Sequence, residues 1–389
     1  MSRLLSIISP RLIKPLACTA IVGFTLIPAL GHITRDIFAP SKTSPASQIA
    51  STENRYLAPF PREAQNFTDF TAKVDSYLND HFALRSVAIK SHQKLQRNLG
   101  ASKLPVYAGR DGWFFLGEDA VWNSHQGRGK FSSQTVQEFD AMVRAIKSRS
   151  DQTGAAFAAT ISPNKASIYT QYTPLRFGQK SNRNFHDTVM STLDTEALNL
   201  INLKPILLAE KDKQQLYYKT DTHWTHDGAF LGYRALMQHL KKTRPEIKII
   251  KRKQLKKTTK TDFKGDLLKI GDIKNTHETA QRLKLKKVRK FSSQKVENPD
   301  YIKSWRTTVH SLKTQQDKAS LKIVIIGDSF SNQYLNLLKG SFDEVIIVHH
   351  KLGAFDLDEV FAHEPDVVIL NVVERFADIT AEGFNRPEK

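Results

Sequence analysis

Apolar and polar positions along this chain fall into two alternating periods. Spacing of three to four residues predicts two helices across residues 66–98, carried by Phe67, Phe70, Val74, Tyr77, Leu78, Phe82, Leu84, Val87 and Leu95, with a break at Asp80-His81. The same period predicts helices over Val136–Ser148, Asn184–Leu198, Asp227–Leu240 and Asn332–Lys339. Short apolar runs predict strands at Ala155–Ile161, Leu200–Leu203, Ile323–Ile326, Val345–Val348 and Val367–Leu370. Val106 to Leu116 reads as a hairpin, because Asp111-Gly112 favours a tight turn between apolar strands, with Trp113 in the core. No internal repeat is present. Alternating helices and strands imply an α/β fold whose central, mostly parallel sheet is covered by helices on both faces.

One strand carries more than packing. Five of the six residues Leu321–Ile326 are apolar, Gly327 breaks the run, and Asp328-Ser329 stands where the strand ends. A strand, a tight turn bearing Ser329 and then a helix would present a hydroxyl at the carboxyl edge of a parallel sheet. Backbone N–H groups at the following helix N-terminus would face any oxyanion formed there. The competing interpretation is that Ser329 or Ser331 simply caps that helix.

About a hundred residues upstream lies Thr220-Asp221-Thr222-His223-Trp224-Thr225-His226-Asp227-Gly228. A serine hydroxyl is a poor nucleophile at neutral pH and needs an imidazole to take its proton. The imidazole in turn needs a carboxylate to fix its tautomer and stabilise the cation. Ser329, His223 and Asp221 are the three parts. A capping turn, with Thr225 or Asp227 as the cap, accounts for the same residues without chemistry. Asp221, His223 and His226 are also metal-ligand types, but no further cluster of matching spacing completes a set, so neither metal nor cofactor is expected. Asp328 adjoins the serine and is expected to shape the turn. The N–H of Ser329, with the Asn332 side chain as a second candidate, is the expected oxyanion donor.

Thr-Asp-Thr-His-Trp followed by Gly-Ala, and later Gly327-Asp-Ser-Phe330, resembles the alginate O-acetyltransferase family of the AlgJ and AlgX type. Shorter pieces agree in the same order: Glu53–Ala58, Asp80–Arg85, Gly109–Leu116, Pro163-Asn164-Lys165 and Gly265-Asp266-Leu267. The resemblance implies an SGNH-hydrolase-like three-layer α/β/α domain with Ser329, His223 and Asp221 as its triad. It also brings Lys165 toward substrate, although a surface lysine fits the sequence equally. Trp224 could stack on a sugar ring or pack the core, and the core is favoured. Glu374-Arg375 resembles the family's end and is expected to form an ion pair near the site.

Composition narrows the setting. Apolar residues make up 40% of the 389 residues and charged ones 25%, as in a globular protein. The formal net charge of +19 argues for a polyanionic neighbour: nucleic acid, anionic lipid or an acidic polymer. Ten basic residues and one acid, Glu246, fall between Lys241 and Lys260, and seven with no acid between Gln281 and Lys295. These runs read either as a solvated excursion or as a basic rim that gathers a polyanion. The single cysteine, Cys18, rules out an internal disulfide framework. Its apolar region follows the cysteine, which argues against a lipoprotein site.

Arg3, Arg11 and Lys14 precede twenty residues, Pro15 to Thr34, without Lys, Arg, Asp or Glu. That is long enough to span a bilayer, and the basic flank puts the remainder outside the cytoplasm. Ala29-Leu30-Gly31 would equally suit a cleaved signal segment. The expected organisation is an anchor or signal over residues 1–35, a linker and juxtamembrane helices over 36–100, and a catalytic domain over 101–389 with a Lys-rich excursion near 241–320. The resemblance implies a periplasm-facing O-acetyltransferase on the inner membrane, acting on a polysaccharide, with a membrane-embedded O-acyltransferase as acetyl donor. An exported chain is not expected to meet nucleic acid. An acetylesterase using the same triad and a non-catalytic polysaccharide-binding export component are the alternatives.

Overall fold

The computed structural model describes residues 66–81, 104–129, 131–287, 289–296, 306–312, 321–350 and 355–384. The anchor or signal segment, the linker and the second juxtamembrane helix lie outside these residues. Among the described residues no helix is long and apolar enough to cross a membrane. The chain divides into two compact units, residues 1–104 and 105–389. In the first, the described residues form the helix Phe67–His81, and the predicted break lies at the edge of the described residues.

The second unit opens with the hairpin β1 (Val106–Ala108) and β2 (Phe114–Leu116). Its turn carries positive φ at both Asp111 (52°) and Gly112 (74°), and Trp113 N–H closes it onto Arg110 O at 3.0 Å. That is the twist an Asp-Gly pair supplies between strands. Trp113 is buried, stacked on Tyr172 at 4.9 Å.

Seven strands form the main sheet. They are β3 (Ala156–Ser162), β4 (Leu200–Ile201), β7 (Phe291–Val296), β8 (Arg306–Leu312), β9 (Lys322–Gly327), β10 (Glu344–His349) and β11 (Val367–Val373). Their spatial order is β4-β3-β11-β9-β10-β8-β7. The first five are mutually parallel, and β8 and β7 add on antiparallel. Every residue of β3 and β11 is buried, the consequence of helices covering both faces. On one face, Val136, Phe139, Val143 and Ile146 of helix Ser133–Thr153 meet Phe157, Val324, Ile346 and Val368. The opposite face is covered by helices including His226–Leu240 and Leu335–Ser341.

Two boundaries differ from expectation, and the Lys-rich stretch holds strands. The helix predicted to Leu198 runs only from Phe185 to Thr192, because Leu193 turns to extended backbone. Strand β4 ends at Ile201, since Asn202 caps the helix Leu203–Glu210 by accepting from Lys204 N at 3.1 Å. The Lys-rich stretch supplies β7, and, apart from the main sheet, an antiparallel ribbon of β5 (Leu255–Phe263) and β6 (Glu278–Leu285).

A buried polar relay ties two strands to the turn that follows a third. Asn371 of β11 accepts from Ser162 Oγ at 2.6 Å and donates to Ser331 Oγ at 2.8 Å. All three are fully buried, so truncating the amide strands two hydroxyls away from water. Asn371→Ala is expected to destabilise the fold by on the order of 3 kcal/mol, measured by urea unfolding with the m-value unchanged.

Candidate active site

Ser329 sits where β9 ends. Asp328 holds the turn: its Oδ1 accepts from Phe330 N at 2.9 Å and its Oδ2 from Val373 N on β11 at 2.6 Å. Asp328, not a serine, is therefore the cap, and it shapes the turn as expected. Gly327 is required here, since a Cβ would lie 2.2 Å from Ser331 Oγ. Behind Ser329 the chain makes a 3-10 turn, Ser329–Tyr334, and becomes α-helical only at Leu335. The α-helical N-terminus expected directly behind the hydroxyl is thus displaced by one tight turn.

The loop bearing Asp221 and His223 is closed by an antiparallel bridge between Tyr217 and Trp224. Asp221 Oδ1 accepts from both the backbone N (2.9 Å) and Nδ1 (2.7 Å) of His223. On the far side of the ring, His223 Nε2 lies 2.8 Å from Ser329 Oγ. Hydroxyl, imidazole and carboxylate from separate parts of the chain therefore form one continuous hydrogen-bonded line. Thr225 caps the next helix, its Oγ1 accepting from Gly228 N at 3.2 Å, so cap and site coexist.

Burial pushes the His223 imidazole toward neutrality. The hydrogen bond and charge of Asp221, helped by Asp266, outweigh it and raise its pKa above the usual 6.5. Burial likewise opposes ionisation of Asp221, but the bonds to His223 hold its carboxyl below the ordinary range.

Much of the supporting machinery was not singled out from sequence. Asp266 N–H donates to Asp221 Oδ2 at 3.0 Å, and its carboxylate accepts from Thr222 N at 2.7 Å and from Thr222 Oγ1. Its Oδ2 also lies 3.5 Å from His223 Nδ1, making it a second carboxylate on the same imidazole. Burial, then the neighbouring Asp221, raise its pKa. The one sequence signal was the Gly265-Asp266-Leu267 piece of the family resemblance. Glu278 accepts from the backbone of Lys219 (2.9 Å) and Thr220 (2.6 Å), holding the loop from below.

Two expectations change, those for Lys165 and for the Glu374-Arg375 pair, and the one for Trp224 holds. Lys165 is neither substrate-facing nor a surface lysine. It is 5% exposed, and its Nζ donates to the carbonyls of Tyr218 (3.1 Å), Lys219 (3.2 Å) and Asp221 (2.8 Å). Burial pushes its pKa down to about 7 against the pull of Asp266, Asp221 and Glu278. Three acceptors match the three N–H donors of an ammonium, so the charged form is the one the loop is built around. Trp224 belongs to the core, with no exposed surface and its Nε1 donating to Phe330 O at 3.2 Å. Glu374 and Arg375 do not pair with each other. Glu374 accepts from Asn164 N (2.8 Å) and Ser167 Oγ (2.9 Å), whereas Arg375 lies 3.5 Å from Glu118 and over the Phe330 ring at 5.5 Å.

Asn332 is exposed, with its carbonyl accepting from Leu335 N. Asn164, which the sequence reading passed over, is 3% exposed and its Nδ2 has no acceptor. Among the described residues, Asp221, His223 and Asp266 offer donor atoms within 4.8 Å of one another, and His226 is not among them. The 2.7 Å Asp221–His223 contact has the length of a charge-assisted N–H···O bond, so this cluster is already organised around a proton.

With this geometry, the family of SGNH hydrolase-like acetyltransferase domains of the AlgX type matches residues 106–354, and the chain belongs to that family. The matched span includes Asp221, His223 and Ser329. Among individual proteins, the chain is 30% identical over 137 residues to a probable alginate O-acetylase AlgJ of Pseudomonas putida, covering 34% of this chain and 33% of that one. It is 26% identical over 128 residues to the corresponding protein of Pseudomonas aeruginosa, covering 32% and 30%. The match thus spans about a third of these relatives' length. The structure of Bacillus cereus PatB1 shares the fold, at a TM-score of 0.53 and 17% identity over 73% of this chain and 99% of that one. The O-acetyltransferase domain of Pseudomonas putida AlgJ superimposes at a TM-score of 0.44 with 20% identity, over 70% and 92%.

Two substitutions test the support around the imidazole. Asp221→Asn and Asp266→Asn should each lower the His223 pKa, the former more, as read by NMR titration of the ring protons. An unchanged value in Asp266→Asn would remove Asp266 from this role. Lys165→Met, which leaves three carbonyls without their donor, should destabilise the protein by on the order of 3 kcal/mol and accelerate amide exchange over Tyr218–His223.

Proposed function

We propose that the chain is an O-acetyltransferase that moves acetyl groups onto polysaccharide hydroxyls through an acetyl-serine at Ser329. The observation that carries this is His223 bonded to both Ser329 Oγ (2.8 Å) and Asp221 (2.7 Å). In the first half, His223 Nε2 takes the Ser329 proton as Oγ attacks the acetyl carbonyl of an acyl donor. The tetrahedral oxyanion collapses, the donor's leaving group departs with the proton from His223, and acetyl-serine remains. In the second half, His223 deprotonates a sugar hydroxyl, which attacks the acetyl carbon, and the proton returns to Ser329 as the ester is released.

The oxyanion needs donors fixed before the reaction. In this turn the Phe330 amide is committed to Asp328 Oδ1 and the Ser331 amide to Asp328 O. The Ser329 N–H is the one left to receive it. Asn164 Nδ2, buried and without an acceptor at the carboxyl end of β3, is the second donor we assign, in place of Asn332.

We place the catalytic unit outside the cytoplasm, following the basic flank and uncharged stretch at residues 15–34. Acetyl-CoA is cytoplasmic, so the acetyl group has to cross the membrane. A membrane-embedded O-acyltransferase is the donor partner this setting calls for.

Brief exposure to an activated acetyl ester should leave an acetyl adduct on the Ser329 peptide, detected by mass spectrometry. The adduct should be absent in Ser329→Ala and His223→Ala. Its rate should fall as pH drops through the raised His223 pKa, because imidazolium cannot accept a proton. An adduct on another residue, or one that survives His223→Ala, overturns the assignment. Discharge to water alone, with no transfer to any glycan, would make the protein an esterase.

A further inference from the structure

The ribbon β5–β6 has no role in the chemistry above, yet it grows out of the site. Its inner end is Phe263 and Glu278, and Glu278 holds the amides of Lys219 and Thr220. Between the two strands the chain passes through Asp266, whose amide binds Asp221. Whatever the ribbon holds is therefore held next to the loop that carries His223.

Its two faces differ. On one, Leu255, Leu283 and Leu285 are buried. On the other, the register places Lys256 directly opposite Lys284 and Thr258 opposite Arg282, with Lys260 beyond. Like charges facing each other across a ladder repel, so the isolated ribbon is weakened by its own side chains. Ion pairing does not relieve this: among the described residues no carboxylate lies within 4.0 Å of Lys256, Lys260 or Lys284, although Lys257 reaches Asp227 at 3.9 Å. The ribbon's own acids are Asp262 and Glu278, and Glu278 is committed to the loop.

Basic charge thus runs from Lys256 to Lys260, about 14 Å for four residues at about 3.4 Å each, and Asp262 and Phe263 complete the strand toward the site. At the inner end Arg282 lies over the Phe263 ring at 5.8 Å, and Phe263 packs on Tyr218 at 4.6 Å. Tyr218 N–H in turn donates to His223 O at 3.3 Å. The charge track and the catalytic loop are continuous.

We propose that the exposed face of the β5–β6 ribbon, built on Lys256, Lys260, Arg282 and Lys284, is a docking track for a linear polyanionic glycan that leads the acceptor chain to Ser329. An extended polymer with regularly spaced carboxylates fits a line of cations on one ribbon face, and a ribbon whose inner end holds the loop of His223 favours an acceptor over a bilayer. This rests on the acetyl-transfer reading of Ser329, so its test is a binding measurement that needs no turnover.

The full chain carrying Ser329→Ala would be titrated with polygalacturonate and with an uncharged glucan at several salt concentrations. Lys256→Gln/Lys260→Gln/Lys284→Gln should weaken polygalacturonate binding about tenfold, three exposed ion pairs' worth, and flatten its salt dependence. A charge-matched control, Lys147→Gln/Lys213→Gln/Lys242→Gln, should change it less than about twofold on the same scale. Melting temperatures report whether either variant is misfolded, and single Lys→Gln variants then replace a triple that is. Equal losses in both triples would mean a net-charge effect and overturn the track, as would no loss in the ribbon variant. Loss of binding to phosphatidylglycerol vesicles with polygalacturonate binding intact would assign the surface to a membrane instead. Failure of the acetyl-transfer reading would appear separately, in the missing Ser329 adduct.

Discussion

Everything at this site depends on satisfying the backbone of one irregular loop. Residues 218–223 belong to no helix or strand, yet they must sit half-buried beside a sheet edge. Buried carbonyls and amides without partners are costly, and here the partners are charged. Lys165 takes three carbonyls, Glu278 two amides and Asp266 a third. Only within that cage does the imidazole of His223 face Ser329.

The sheet supplies the other half of the geometry. Because β9 is central, flanked by β11 and β10, the residue after it emerges among loops from neighbouring strands. Asp328 is pinned to β11, and Asn164 leaves from the end of β3. The hydroxyl therefore stands on a turn fixed from two sides, while the base comes from a loop fixed from beneath. The two side chains meet at 2.8 Å without a large motion of either.

The strands were legible from sequence because parallel strands buried on both faces leave continuous runs of Ile, Val and Leu. The meeting of Ser329, His223 and Asp221 was legible because few residue types combine as hydroxyl, imidazole and carboxylate, and Asp and His were two apart. Glu278 was not, since its partners lie dozens of residues away and no local pattern announces it, and Asp266 and Asn164 showed only as members of short motifs that assign neither a role. Lys165 was misjudged for a physical reason: lysines are rarely buried, and this one is buried only because three carbonyls converge on it. The helix after Ser329 was placed one turn early, because apolar spacing cannot tell a 3-10 turn from the first turn of an α-helix.

The order in which these parts lie along the chain has a kinetic consequence. The site draws on residues 164–165, 218–223, 266, 278 and 328–331, all distant in sequence. Contacts of such wide sequence separation cost loop-closure entropy before they stabilise anything. A partly folded chain in which those loops are still open would hold Ser329 without His223 beside it.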